Sequence, residues 1–449
     1  MPLQKNQVLT LQVERLSSDG SGVAHSPEGE TVFIPGAAPG DEARVRIVKD
    51  CKRYAFGILD EVLKPSPDRI PVDCAVAGPC GGCSLRHLDY AAELRAKQEN
   101  VADAFARIGG LDVPVLPIVG SPEIDRYRNK VQFPVGTDKA GRPCIGFYAG
   151  RTHRIVPCPD CRLQPGILNE IGNTLCAFFA EKGIHPYNEE TGKGLVRHIF
   201  LRRGAHSGQI MVCLVCTRAK IPSADELCTR LKEAFPDIVT ILLNVNAKNT
   251  NVILGSETHT LYGQGYIEDT LCGVPVQLGP LSFYQVNTLA AEQLYGIAAE
   301  YAQLTPDDLL LDLYCGMGTI GLSMADHCRE LVGVEIVPEA IESAKANAAR
   351  MGAAVSAKSR FFCADAGQAA AQLAADGLHP DVVMLDPPRK GCDEATLSAV
   401  VRMAPRRVVY VSCNPATAAR DAAWLEQNGY HAEKVQPVDL FPRTKHVET

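Results

Sequence analysis

The chain has 449 residues, 46% hydrophobic and 22% charged, which excludes a disordered chain. Its length, past the roughly 250–300 residues at which single cores stop growing, predicts several domains. Net charge is −7, from 45 Lys+Arg and 52 Asp+Glu, and no apolar run approaches the roughly 20 residues of a bilayer helix. The opening MPLQKNQVLTLQVERL has no apolar leader block, so no membrane span is expected and the chain is placed in the cytoplasm. There, 17 cysteines point to metal binding or chemistry rather than to disulfides.

From Gln7 to Val62 short alternating runs at 8–13, 31–35, 40–48 and 54–59 are broken by Gly and Pro. Period-two apolarity with such close turns predicts an OB-like β-barrel of about five strands, an architecture that commonly binds RNA. A proline-bearing linker at 64–71 and a cysteine-rich turn at 74–83 follow, then a helix at 90–108 ended by Gly109-Gly110. Residues 121–276 mix strands (130–135, 208–215, 238–245) with helices (164–182, 223–235), which reads as an α+β domain. From Thr288 helices alternate strictly with buried strands at 309–313, 330–335, 361–365, 381–385 and 407–412, the pattern of a parallel, doubly wound α/β sheet. The expected division is therefore 1–64, 65–280 and 281–449.

Ligands of such sheets bind at the strand carboxyl ends. There Asp312-Leu-Tyr-Cys-Gly316-Met-Gly318-Thr-Ile-Gly321 links a strand to a helix, and its glycines let the backbone turn tightly beside a ligand. The spacing of Gly316, Gly318 and Gly321 matches a dinucleotide fingerprint, a weak signal by itself. Glu335 ends the second strand, where a carboxylate takes both hydroxyls of a ribose. Asp365, after the third, suits an adenine amino group, and the fourth ends in Asp386-Pro-Pro-Arg-Lys-Gly391. Together these residues resemble the S-adenosylmethionine site of Rossmann-like methyltransferases.

The fifth strand runs into Val411-Ser-Cys413-Asn-Pro415, with a cysteine at its tip. C5 of uracil is too weak a nucleophile to take a methyl group unaided. A thiolate adding at C6 pushes electron density onto C5, and the C5 proton must afterwards leave to a general base. Glu448, in Lys445-His-Val-Glu-Thr449, is the candidate base.

Asp386-Pro-Pro-Arg-Lys-Gly, Val411-Ser-Cys-Asn-Pro-Ala-Thr417 and Ser282-Phe-Tyr-Gln-Val-Asn287 together resemble the RNA uracil-C5 methyltransferases, which make 5-methyluridine in tRNA and large-subunit ribosomal RNA. The resemblance spans nearly the whole chain and implies a TRAM domain for the barrel. It also implies cofactor contacts at Gln285, Tyr314, Thr319, Glu335, Asp365 and Asp386, with Cys413 as nucleophile and Glu448 as base. Branches acting on tRNA often lack the barrel, so it implies ribosomal RNA, 23S in particular, as substrate. Family members continue past His-Val-Glu-Thr with a hydrophobic strand. Losing it would leave a gap between the fifth and sixth strands and free the end at Glu448, unless the sequence is cut short or another segment fills the gap.

By spacing, Cys80 and Cys83 with Cys158 and Cys161 would make a tetrathiolate zinc site, whereas Cys74, Cys80, Cys83 and Cys161 would hold a 4Fe–4S cluster. The resemblance favours the cluster, because Cys161-Arg-Leu-Gln164 matches the family's fourth ligand.

The overall acidity hides a basic middle: residues 121–220 carry 15 Lys+Arg against 8 Asp+Glu. Within it Arg126-Tyr127-Arg128-Asn-Lys130 and Arg197 with Arg202 and Arg203 predict an RNA-facing surface, the cations on phosphate and Tyr127 stacking on an unpaired base. Rival readings fit less well. Adenine amino-group methylation needs no thiol, and cytosine-C5 enzymes place the cysteine directly after a proline. A methylthiotransferase needs Cys-x3-Cys-x2-Cys. A non-catalytic iron–sulfur RNA binder needs neither the row of carboxylates nor the thiol. No obligate protein partner is evident.

Overall fold

Alternation along the N-terminal segment closes it into a barrel. In the computed structural model, which describes residues 3–150 and 152–449, β1 (Val8–Leu16), β2 (Ser21–His25), β3 (Thr31–Pro35), β4 (Glu42–Asp50) and β5 (Tyr54–Lys64) run in the order β1-β2-β3-β5-β4. β1 pairs with β4 to complete the circle, and β3 with β5 is the parallel pair. Leu11, Val13, Val32, Ile34, Val45 and Ile47 fill the interior. Gly57 has to be glycine, because a Cβ there would overlap Val45.

Asp89 caps α1 (Tyr90–Asp103), its Oδ1 accepting from Ala92 N at 2.8 Å. The helix expected to reach residue 108 widens at Ala104–Gly109 into a π-turn closed by left-handed Gly110. These residues, with everything N-terminal to Ile124, cluster with Arg389–Gly391 and Ser412–Thr449 as one unit. The second unit comprises Asp125–Pro388 and Cys392–Val411. The chain is thus cut differently from the three-part division expected: residues 65–124 and 412–449 go with the barrel.

The second unit begins with a seven-stranded sheet of β6 (Lys130–Thr137), β7 (Pro143–Tyr148), β8 (Ile155–Pro157), β9 (Val196–Arg203), β10 (Ile210–Cys216), β11 (Ile238–Val245) and β12 (Glu257–Tyr262), in the order β12-β11-β10-β9-β6-β7-β8. Helices α2 (Gly166–Glu181) and α3 (Ala224–Ala234) contribute Leu168, Phe179, Leu227 and Leu231 to its core. β9 and β10 are buried almost throughout, which leaves them no solvent face. Cys213 and Cys216 are core residues there, their thiols pushed up to about 12 by burial.

A hairpin of β13 (Ile267–Leu271) and β14 (Val274–Leu278) leads to α4 (Thr288–Ala302). The alternating part then runs β15 (Leu309–Leu313), α5 (Thr319–Ser323), β16 (Glu330–Glu335), α6 (Pro338–Arg350), α7 (Ala353–Lys358), β17 (Ser359–Cys363), α8 (Ala366–Ala375), β18 (Val382–Leu385), α9 (Glu394–Met403) and β19 (Arg407–Tyr410). The five strands form a parallel sheet in the order β17-β16-β15-β18-β19, so β15 is central and order reverses beside it. The chain re-enters the first unit with α10 (Pro415–Gln427). Among the described residues no helix is long and apolar enough to cross a membrane.

Candidate active site

The carboxyl end of β15 carries the first expected cluster. Tyr314, Gly316 and Gly318 all have positive φ (65°, 56° and 79°), a sharp turn that delivers α5. A Cβ on Gly321 would stand 2.8 Å from Asp312 Oδ2, so this glycine lets α5 sit on the strand, whereas a Cβ on Gly316 would meet open space. Glu335 braces the turn from β16: its Oε2 accepts from Gly316 N at 3.1 Å and its Oε1 from Ile336 N and Val337 N. Asp365 caps α8 by accepting from Gln368 N at 3.1 Å.

Asp312 is 1% exposed. Its Oδ2 accepts from Gly321 N at 3.0 Å, while its Oδ1 is buried with no hydrogen-bond partner. Burial pushes this carboxyl up to about 8, with the charges of Asp386 and Glu335 adding to the rise. Asp386, half-buried beyond β18, is likewise pushed up to about 7 by burial. An inward-facing acid with an unmet acceptor is a site built for a bound donor, preferably cationic.

The stretch bearing Gln285 is held from β6 and β9. Arg202 donates to Gly279 O at 2.8 Å and to Ser282 O at 2.7 Å, and Asn129 donates to Gln285 O at 2.7 Å and Thr288 Oγ1 at 2.9 Å. Tyr295, buried on α4, hydrogen-bonds the Gln285 side chain and lies 3.5 Å from Thr319 Oγ1. Sequence reasoning missed Tyr295 and Asn129. A tyrosine at helical spacing reads as core, and no local pattern marks an asparagine whose partners lie 156 and 159 residues away.

In the first unit Cys413 is partly accessible and immediately precedes Asn414, the N-cap of α10, a helix end that favours negative charge. Asn414 Nδ2 donates to Arg389 O at 2.9 Å, and Arg420 Nη2 to Lys390 O at 3.0 Å, which ties the Arg389–Gly391 turn to α10. Glu448 is 6% exposed. The loosened end expected for it is corrected by the structure: Glu448 exchanges two backbone hydrogen bonds with Val438, at 2.8 and 3.0 Å, and Thr449 exchanges two with Ser412, both at 2.9 Å. The last residues are therefore stitched to the segment bearing Cys413.

The RNA face expected in the basic middle is largely corrected. Arg202 is 1% exposed and spends its guanidinium on the two carbonyls named above, with burial lowering it to about 10. Arg197, 5% exposed, donates to Asn246 O and Lys248 O, and Tyr127 is 5% exposed. Arg126 lies in a left-handed turn rather than a strand and pairs with both oxygens of Asp160, at 2.6 and 2.9 Å. Arg128, Lys130 and Arg203 are half-buried, and burial together with the charges of Arg202 and Arg128 lowers Lys130 to about 8. Alternation fails as a guide because β9, which carries Arg197, Arg202 and Arg203, is buried along nearly its whole length and has no solvent face.

Among the described residues no three His, Cys, Asp or Glu side chains gather as a metal site, so the four-thiolate arrangement expected of Cys74, Cys80, Cys83 and Cys161 is not shown. All 17 cysteines are outside disulfides.

A family model described as tRNA (uracil-5-)-methyltransferase matches residues 274–449, and a TRAM domain model matches residues 2–59. An uncharacterized RNA methyltransferase of Halalkalibacterium halodurans is 43% identical over 449 residues, covering 100% of this chain and 97% of its own. One of Oceanobacillus iheyensis is 42% identical, covering 100% and 96%. Among solved structures, the Pyrococcus abyssi tRNA (uracil-54, C5)-methyltransferase in complex with S-adenosyl-L-homocysteine superposes with a TM-score of 0.76 at 27% identity, covering 98% of each chain.

Proposed function

Because the chain belongs to the RNA (uracil-5-)-methyltransferase family, we propose that it methylates C5 of uracil through a covalent adduct at Cys413. The observation that carries the reading is the acidic cradle at the carboxyl end of β15. Asp312 Oδ1, buried and unmet, fits the α-ammonium of S-adenosylmethionine. Glu335 would take the ribose, Asp365 the adenine amino group, and the open side of Gly316 admits the cofactor. Tyr314, Gly318, Thr319, Gln285 and Asp386 complete the contacts. When bound, the sulfonium supplies an electrophilic methyl group.

The Cys413 thiolate adds to C6 of the uracil, and the electron pair displaced onto C5 takes the methyl group. Glu448 then removes the C5 proton, and the pair left behind re-forms the C5–C6 double bond as the Cys413 sulfur departs. To expose C6 the target uridine has to leave its stack. The enzyme acts in the cytoplasm, on ribosomal RNA by the TRAM barrel and the cysteine pattern. A second reading, transfer RNA, is favoured by the likeness to the Pyrococcus abyssi tRNA enzyme.

A cluster on Cys74, Cys80, Cys83 and Cys161 remains part of the proposal on spacing and the family pattern. No step passes through it, and iron and sulfide analysis of anaerobically purified protein tests it.

The deciding experiment is tritium release from 5-tritiated uridine in ribosomal and transfer RNA, with S-adenosylmethionine present. Release is expected from one RNA, none with Cys413→Ala, and a denaturant-stable protein–RNA adduct with Glu448→Gln. Release from neither RNA by protein shown to bind the cofactor sinks the proposal.

A further inference from the structure

The correction of the basic middle leaves open where single-stranded RNA is gripped, and the barrel holds an answer in its outward-facing side chains. β3 and β5 pair in parallel with Phe33 opposite Phe56 and Thr31 opposite Tyr54. Residues alternate across each strand, so Phe33, Tyr54 and Phe56 emerge on the outer surface while Val32 and Ala55 point inward. The three rings meet: Phe33–Tyr54 centroids are 5.8 Å apart, Phe33–Phe56 5.8 Å and Tyr54–Phe56 5.7 Å. Tyr54 is 40% exposed, and Phe33 and Phe56 are partly exposed. A barrel has no need of three aromatic rings on its wet side, since its interior is already filled by aliphatic residues.

The charges around this patch are sorted. Farther along the same wall Arg44 pairs with Glu61 and Arg46 with Asp60, at 2.7 and 2.8 Å, so those cations are already neutralised. Beside the rings the situation is reversed. Lys49 stands opposite Phe56 across the β4–β5 pair, and Lys52 and Arg53 lie in the turn that leads into Tyr54. All three are exposed, and among the described residues none has a carboxylate partner. The one acid in that turn, Asp50, accepts from the backbone N of Lys52 at 2.7 Å.

We propose that Phe33, Tyr54 and Phe56, with Lys49, Lys52 and Arg53, form a stacking platform for unpaired bases of a single-stranded RNA segment, the rings taking bases and the cations the phosphates between them. The occupant is RNA rather than a protein because the patch joins flat π-faces to uncompensated positive charge, the two features an unpaired nucleotide matches at once. OB-like barrels use a strand face in this manner. The inference rests on RNA as the substrate class but not on uracil-C5 chemistry.

The test uses the full chain and a fluorescein-labelled uridine 12-mer, titrated by anisotropy across a potassium chloride series without cofactor. Tyr54→Ala is expected to bind about tenfold more weakly with an unchanged salt slope, and Tyr54→Phe to bind as wild type. The triple variant Lys49→Gln, Lys52→Gln, Arg53→Gln changes only exposed positions and keeps the thermal midpoint. It is expected to reduce the slope of log K against log salt by about 2, since each phosphate left without its cation takes roughly 0.7 from the slope. A 4-thiouridine version of the oligomer should crosslink within residues 31–56. No binding by the wild type, an unchanged slope in the triple variant, or crosslinks confined elsewhere would each overturn the platform. Because the assay needs no methyl transfer, a protein that binds here yet releases no tritium leaves the platform standing while the proposed chemistry fails.

Discussion

Replacing Lys97 by methionine tests the buried charge network of the first unit. Lys97 is 1% exposed and its Nζ lies 2.8 Å from Glu93 Oε1, 2.8 Å from Asp439 Oδ1 and 3.2 Å from Phe441 O. Tyr90 OH donates to the other Asp439 oxygen at 2.9 Å, and Arg443 donates from its backbone N to Glu93 Oε1 at 2.7 Å. Two acids thus face two cations, Lys97 and Arg443, out of reach of bulk solvent. Methionine preserves the stem but strands two carboxylates against one guanidinium, and breaking a buried pair from one side costs about 3–5 kcal/mol. At roughly 2–4 °C per kcal/mol for a unit of this size, its thermal midpoint should fall by about 10 °C. Burial raises the Glu93 carboxyl while Lys97 opposes the rise, so without the lysine Glu93 takes up a proton and the loss should be smaller at pH 5 than at pH 8. Calorimetry of Lys97→Met, Glu93→Gln and the double variant gives the coupling. A shift under 2 °C, or strictly additive losses in the double variant, would refute the reasoning.

Arg202→Met should leave the salt dependence of RNA binding unchanged while weakening S-adenosylhomocysteine binding by about tenfold or more, because two charge-assisted bonds to the Gln285 stretch are lost; titration calorimetry with the wild type alongside decides it. Asp312→Asn keeps the bond from Gly321 N but removes a buried ionisable carboxyl. The folded carboxyl is raised to about 8 from 3.8, so its ionisation costs stability increasingly as pH rises above the unfolded value. The variant should therefore be more stable without cofactor at pH 7, by about 2–4 kcal/mol, lose that advantage near pH 4, and bind no cofactor. His87 and His198 are both lowered to about 4 by burial, with a nearby arginine adding to each. Depressed folded values mean stability that is present above 6.5 and lost as pH falls toward 4, up to about 3 kcal/mol for each; a stability change between pH 7 and 4.5 that is the same in the wild type as in His87→Phe or His198→Phe would contradict this.

What could be read in advance follows from how locally each feature is encoded. The barrel and the parallel sheet were legible because burial repeats with a fixed period. β15 and β16 match their expected bounds at both ends, and inward Leu11 and Val13 alternate with exposed neighbours along β1. The placing of the acids Asp312, Glu335, Asp365 and Asp386 at or just past the strand ends was legible because the alternation of helix and buried strand marks where each strand stops. The arginines were not. Arg202 reads as a surface cation until the carbonyls 77 and 80 residues later are seen to accept from it, and Arg197 likewise depends on carbonyls 49 and 51 residues on. The hold on Glu448 was equally hidden, since it consists of backbone bonds to Val438 that no side chain announces.

The threading of the chain sets an order of assembly. The first unit draws on the residues up to Ile124, on Arg389–Gly391 and on Ser412–Thr449, with the whole seven-stranded sheet and the parallel sheet encoded in between. On the ribosome the barrel, whose pairings are all local, can close early, and the second unit can follow as a continuous piece. Lys97 meanwhile waits with α1 for an aspartate made 342 residues later. Until then the nascent protein has neither Cys413 nor Glu448 in place. It should pass through a stage with the second unit folded and the first unit incomplete, exposed to chaperones through the unfilled side of α1.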